Sequence, residues 1–280
     1  GRVLGTAPEN DLAVVCIDQT GLDPIDQSPR GVIDLGDRDQ AVIAGSWRRP
    51  MLEDLPSQFV VFSENHDQIG NRAIGDRLST HLSIDVLKVA RALVLLLPNI
   101  PLLFMGEEYG ETNPFLYFVS HEDKELANAV REGRKNEFAA FHREGEVPDP
   151  VAEETFLRSK LQWELRNAGA HAAMLSFYKR IIQFRKKDSV VASRDRKKIE
   201  AVTDTGRQIL ILHRWLSGDD NRYVYANFSV NPLRLSAPGD GNWKIVLQSA
   251  DEELPDEILQ SGASFELPPA SFKVLSNKDV

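Results

Sequence analysis

A single cysteine, Cys16, in 280 residues excludes an intramolecular disulfide framework, so the chain must hold its core by packing alone. Positive charge is also in deficit. With 33 Lys and Arg against 42 Asp and Glu, the net charge is −9, which disfavours nucleic acid or an anionic membrane as a partner, because both select basic surfaces. Long apolar runs are missing. The most apolar window, 86–97, is shorter than the ~20 residues that span a bilayer, contains Lys88 and Arg91, and reads as a buried helix. The first residues lack the charged, apolar and small-residue order of a secretion signal, so the expected location is the cytoplasm. His81, His142, His171 and His213 stand singly, without metal-ligand spacing, and neither a metal nor another cofactor is expected.

What the chain does have is a length of 280 residues, which allows one large or two ordinary domains, and 42% hydrophobic residues, enough to bury a core. The most informative stretch runs from Phe59 to Arg72, FVVFSENHDQIGNR. Phe59, Val60, Val61 and Phe62 are β-branched or aromatic and read as a strand buried on both faces. The run stops at a polar cluster, Asn65, His66, Asp67 and Gln68, where a parallel α/β fold places its binding side chains. Amide donors, an imidazole and a carboxylate side by side suit a ligand with vicinal hydroxyls, such as a sugar. The same residues would also serve simply to close the strand in an Asx-type turn.

The wider pattern is more specific. NHDQIGNRAIGDRLS (65–79), IPLLFMGEEYGETNPFLYFVSHED (100–123), AVREGRKNEF (129–138) and VPDP with TFLRSKLQW (147–163) together resemble the α-amylase family of glycoside hydrolases, in particular its trehalose-releasing members. The resemblance implies an α/β fold: the C-terminal part of a (β/α)8 TIM barrel, with strands 7 and 8, followed by an antiparallel β-sandwich domain. The expected divisions are an irregular segment over 1–50, at most a barrel remnant, barrel over 51–188 and sandwich over 189–280. Within 1–50, 12–17 could form a strand, and Glu9-Asn10-Asp11-Leu12 faintly echoes the family's general-acid segment.

Several elements can be read directly. Ser83 as N-cap, Asp85 in the first turn, apolar residues at helical spacing and a stop at Pro98 predict a helix, and 100–105 predicts the next strand. Helices are expected within 122–143, over 156–165 and over 174–187, the last with Arg185, Lys186 and Lys187 complementing its own C-terminus. Period-two runs at 208–215, 222–228, 243–247 and 265–275 predict strands.

The resemblance also assigns roles. Asp67 is expected to stabilise the transition state of a retaining hydrolysis, while Asn65, His66 and Gln68 position the sugar. Phe115 and Tyr117 are candidates for stacking on sugar faces, with core packing as the alternative. Glu107 and Glu108 are adjacent; residues i and i+1 of a strand point to opposite faces, so they read as structural rather than as a catalytic pair. No segment matches those that carry the family's nucleophile and general acid, so residues 1–280 alone are expected to be inactive. The implied substrate is an α-glucan, specifically maltooligosyltrehalose, from which the complete enzyme releases trehalose. An open barrel exposes apolar strand edges, so self-association or dependence on an N-terminal half is expected. A branching-type α-glucan enzyme and a noncatalytic glucan-binding protein stay open as alternatives.

Overall fold

The computed structural model describes residues 14–19, 33–34, 59–138, 147–195, 197–239, 241–250 and 253–278. The first sheet has four strands in the order β2 (Ile33–Asp34), β1 (Val14–Gln19), β3 (Phe59–Phe62) and β4 (Ile100–Pro101). β3 and β4 are parallel, with Val60 opposite Ile100 and Val61 opposite Pro101. β1 runs antiparallel to β3, opposite to the direction of a neighbour within a (β/α)8 barrel. The Glu9 to Leu12 echo lies outside the described residues.

Three helices connect β3 to β4: α1 (His66–Gly70), α2 (Leu78–His81) and α3 (Ile84–Leu96). α3 begins where the Ser83 hydroxyl accepts the Val86 N–H, carries Asp85 in its first turn, and is buried at every position from Leu87 to Leu96. After β4 come a 3-10 turn (Glu107–Tyr109), α4 (Lys124–Phe138), α5 (Glu153–Arg158), a second 3-10 turn (Trp163–Asn167), α6 (Gly169–Lys187) and α7 (Ser189–Ala192).

The remaining strands are β5 (Ile199–Asp204), β6 (Ile209–Ser217), β7 (Asp220–Asn227), β8 (Leu233–Ser236), β9 (Asn242–Gln248), β10 (Ile258–Gln260), β11 (Ser264–Leu267) and β12 (Ser271–Ser276). Six form an antiparallel sheet in the order β10-β9-β12-β7-β6-β5, and β8 pairs with β11 beside it. Period-two alternation gives this sheet two apolar faces. Leu210, Leu212, Val224, Ala226, Phe272 and Val274 share one core with Leu93 and Leu96 of α3 and Met174, Phe177 and Ile181 of α6. Ile209, Tyr225, Trp243, Ile245 and Leu275 pack on the other side with Leu235 of β8 and Phe265 of β11. The helical layer and the β module are therefore continuous through the sheet.

The structure departs from the sequence pattern in several places, and β5, β8 and β10 have no counterpart among the expected strands. β4 is two residues long rather than running over 100–105: Pro101 has no N–H to give, and after the Leu102 N–H bonds the Val61 carbonyl at 2.8 Å the chain leaves the sheet. The helix expected over 156–165 breaks after Arg158, because the Gln162 N–H is drawn to the Glu111 carboxylate at 2.6 Å. The run 265–275 is two strands, separated at Pro268, Pro269 and Ala270, the last at φ +44°. Arg185 serves a different helix end from its own, donating to the carbonyls of Leu97 (2.5 Å) and Asn99 (2.7 Å) just past α3.

Candidate active site

β3 hands directly into the polar cluster. Asn65 is extended and caps α1, its Oδ1 accepting the Gln68 N–H at 3.0 Å. The Asx-type closure is thus present, and it fixes the start of α1. His66 and Asp67 project outward, their side chains 69% and 73% exposed, with Nε2 and Oδ1 3.2 Å apart. Asp67 also accepts the Asn71 N–H at 3.2 Å through its main-chain carbonyl, which closes the α1 turn. Gln68 is half-buried beside them.

Beneath this display lies a buried polar knot. Arg91 of α3 reaches Glu64 at 2.9 Å and Glu107 at 3.2 Å and donates to the Ser63 hydroxyl. Glu64 also accepts the Leu78 N–H at 3.1 Å, while Glu107 accepts the Phe104 N–H at 3.1 Å and the Tyr178 hydroxyl of α6 at 2.8 Å. One guanidinium therefore ties the end of β3, the turn after β4, and α3 together. Burial pushes the Glu107 carboxyl up to about 7; Arg91 opposes the rise and Glu64 adds to it. Arg91 itself is held charged: burial works against it, but Glu107 and Glu64 together win and raise its pKa. Tyr178 is raised by burial first and by Glu107 second.

A second carboxylate organises the next loop. Glu111 is fully buried and accepts the N–H groups of Thr112 and Asn113, both at 2.8 Å, the Gln162 N–H at 2.6 Å, and the Tyr109 hydroxyl at 2.8 Å. Burial alone would raise its pKa, but the donors from Asn113 and Gln162 outweigh burial and lower it. Glu108 bonds the Gly106 N–H of its own turn at 3.0 Å. Both Glu107 and Glu108 are thus engaged within the scaffold.

Phe115 and Tyr117 sit close to the cluster by different routes. The Phe115 N–H bonds the Gly75 carbonyl at 2.7 Å, and a Cβ on Gly70 would lie 3.8 Å from the Phe115 ring. That ring also meets Phe104 edge-on at 5.3 Å. Gly75, at φ +60°, has no room for a side chain: a Cβ there would stand 2.5 Å from the Phe115 carbonyl oxygen. Tyr117 is exposed, and Arg134 of α4 lies 5.0 Å from its ring centre. Asn65, His66, Asp67, Gln68, Phe115 and Tyr117 are therefore grouped around one short helix. Among the described residues, no three His, Cys, Asp or Glu side chains converge as metal ligands, and no helix is long and apolar enough to cross a membrane.

Comparison with known proteins gives this grouping a family. No protein-family model matches the chain. Curated relatives do: malto-oligosyltrehalose trehalohydrolase of Rhizobium sp. (strain M-11) is 40% identical over 227 residues, covering 79% of this chain and 35% of the relative. The enzyme of the same name from Deinococcus radiodurans is 41% identical over 212 residues, covering 70% of this chain and 34% of the relative. The chain is thus similar to a C-terminal portion of the malto-oligosyltrehalose trehalohydrolases. It spans about a third of the length of those trehalohydrolases. Among solved structures, an α-amylase-type protein of Salmonella typhimurium superposes with a TM-score of 0.65 at 36% identity, over 80% of this chain and 36% of that one. The chain thus shares an α-amylase-family fold, and its relatives support an α-amylase-family glycoside hydrolase.

The residues that sequence reasoning missed are those behind the display. Arg91 carried a visible signal, a charge inside an apolar helical run, which bore only on the question of a membrane span. Glu64, Glu111, Arg134 and Tyr178 had no such mark, since the partners that tie them to the rest of the fold, Arg91, Gln162, Gly70 and Glu107, are 27 to 71 residues away in the chain.

Proposed function

We propose that residues 59–188 form the last part of a (β/α)8 barrel, with β3 and β4 as strands 7 and 8, and that residues 189–280 are its antiparallel β-sandwich. In the complete protein this portion supplies the charge-stabilising edge of a retaining site that cuts the α-1,4-glucosidic bond next to the trehalose unit of maltooligosyltrehalose. The names of the relatives support the substrate. The observation that carries the reading is the exposed Asp67 carboxylate, set on the short helix α1 that follows β3 and is capped by Asn65.

As the glucosyl ring flattens and gains positive charge, a carboxylate hydrogen-bonded to its hydroxyls binds more tightly, so Asp67 favours the transition state over the substrate. His66 donates to a neighbouring hydroxyl, and Asn65 holds the turn that aims both. The nucleophile and general acid come from the upstream part of the barrel. The test uses a chain of the relatives' full length carrying these residues. Asp67→Asn is expected to lower kcat for trehalose release by about 10² to 10³, with KM changed far less. Release at an undiminished kcat, or glucan-chain transfer without trehalose release, would overturn the reading.

A further inference from the structure

α4 is an unusual helix. Of its fifteen residues only Ala127 and Arg134 are buried, while Leu126 is 47% exposed. A helix laid against a protein normally docks through apolar residues, because burying a guanidinium costs desolvation unless every donor finds a partner. Arg134 finds partners on the candidate site and on its own helix. It donates to the Gly70 carbonyl at 2.6 Å and to the Arg72 carbonyl at 3.2 Å, pairs with Glu137 at 3.2 Å, and lies 5.0 Å from the Tyr117 ring centre and 4.5 Å from that of Phe138.

The two carbonyls flank Asn71, the residue whose N–H closes onto the Asp67 carbonyl at 3.2 Å. The geometry points to Arg134 as a positioning residue: we propose that it clamps the 70–72 turn so that α1 presents Asp67 at the orientation the reaction needs. This rests on the proposed role of Asp67. A five-residue helix has only ~7.5 Å of length, so a shift at its last carbonyl is felt at its first turn. Small misplacements of a charged group that acts in the transition state are costly in rate. Arg131, three residues earlier on α4, pairs instead with Asp149 at 2.9 Å near the surface and serves as a control.

In a full-length chain, Arg134→Gln is expected to lower kcat about tenfold with KM within about twofold, Arg134→Lys to restore part of the loss, and Arg131→Ala to leave kcat unchanged. The deciding readout is the double variant. If Arg134 acts through Asp67, then Arg134→Gln costs little further rate in an Asp67→Ala background. Unchanged kcat in Arg134→Gln, or losses that multiply in the double variant, would overturn the proposal. Retention of full activity by Asp67→Ala alone would instead overturn the role given to Asp67.

Discussion

Arg91 faces Glu64 and Glu107 in the buried interior, and the consequence is readable in pH. The Glu107 carboxyl is raised from its ordinary 4.5 to about 7, so between these values the folded state holds a proton that the unfolded chain has released. Its contribution to stability is complete below about pH 4.5 and is lost as pH rises through about 7, by up to about 3 kcal/mol. Glu111 acts in the opposite sense: its pKa is lowered, so its contribution is present above the ordinary carboxylate range and is lost as pH falls through the folded value. Thermal unfolding of wild type and Glu107→Gln from pH 5 to 8 is expected to show the wild-type advantage shrinking as pH rises. A difference independent of pH would contradict the assignment. At this scale the sequence displayed the outward-facing residues, because Asn65, His66 and Asp67 are contiguous. It hid the inward ones, because a guanidinium's partners are chosen by the fold.

At the scale of elements, legibility follows how local the causes are. α3 carries its cap and apolar stripe in adjacent residues and forms where the pattern places it; α6 follows its own stripe but begins at Gly169, ahead of the expected 174 and without a side-chain cap. The break between α5 and the 3-10 turn at Trp163 has a distant cause, the pull of Glu111 on Gln162 across 51 residues, and no local signal announces it. Gly75 lies between these cases. Its left-handed backbone and the Phe115 carbonyl against it leave no space for a methyl group. Gly75→Ala is therefore expected to destabilise the fold by about 2 to 4 kcal/mol, combining backbone strain with a clash against rigid main chain. A change in stability below about 0.5 kcal/mol in denaturant unfolding would show that the 75–115 contact gives way easily.

The molecule as a whole has one well-closed side and one open side. The inner strands of the six-stranded sheet are packed on both faces, whereas β4 ends the first sheet among apolar residues that water reaches: Ile100, Leu102 and Leu103 are 37 to 39% exposed and Met105 is 45% exposed. An exposed apolar edge of this kind invites pairing with another chain. Residues 1–280 produced alone are expected to self-associate in a concentration-dependent way, and Leu103→Lys to shift them towards monomer. A compact monomer by light scattering, unaffected by that substitution, would contradict this. The same portion alone is expected to release no trehalose.

The role given to Asp67 requires it to bind a flattened, positively charged glucosyl unit better than a neutral one. The decisive measurement is the affinity of a full-length chain, before and after Asp67→Asn, for a glucose-configured iminosugar cation and for a neutral maltooligosaccharide. The expected outcome is a loss of about 100-fold for the cation and at most a few-fold for the neutral sugar. Equal losses for both ligands would mean that Asp67 only holds substrate, and that role would be wrong.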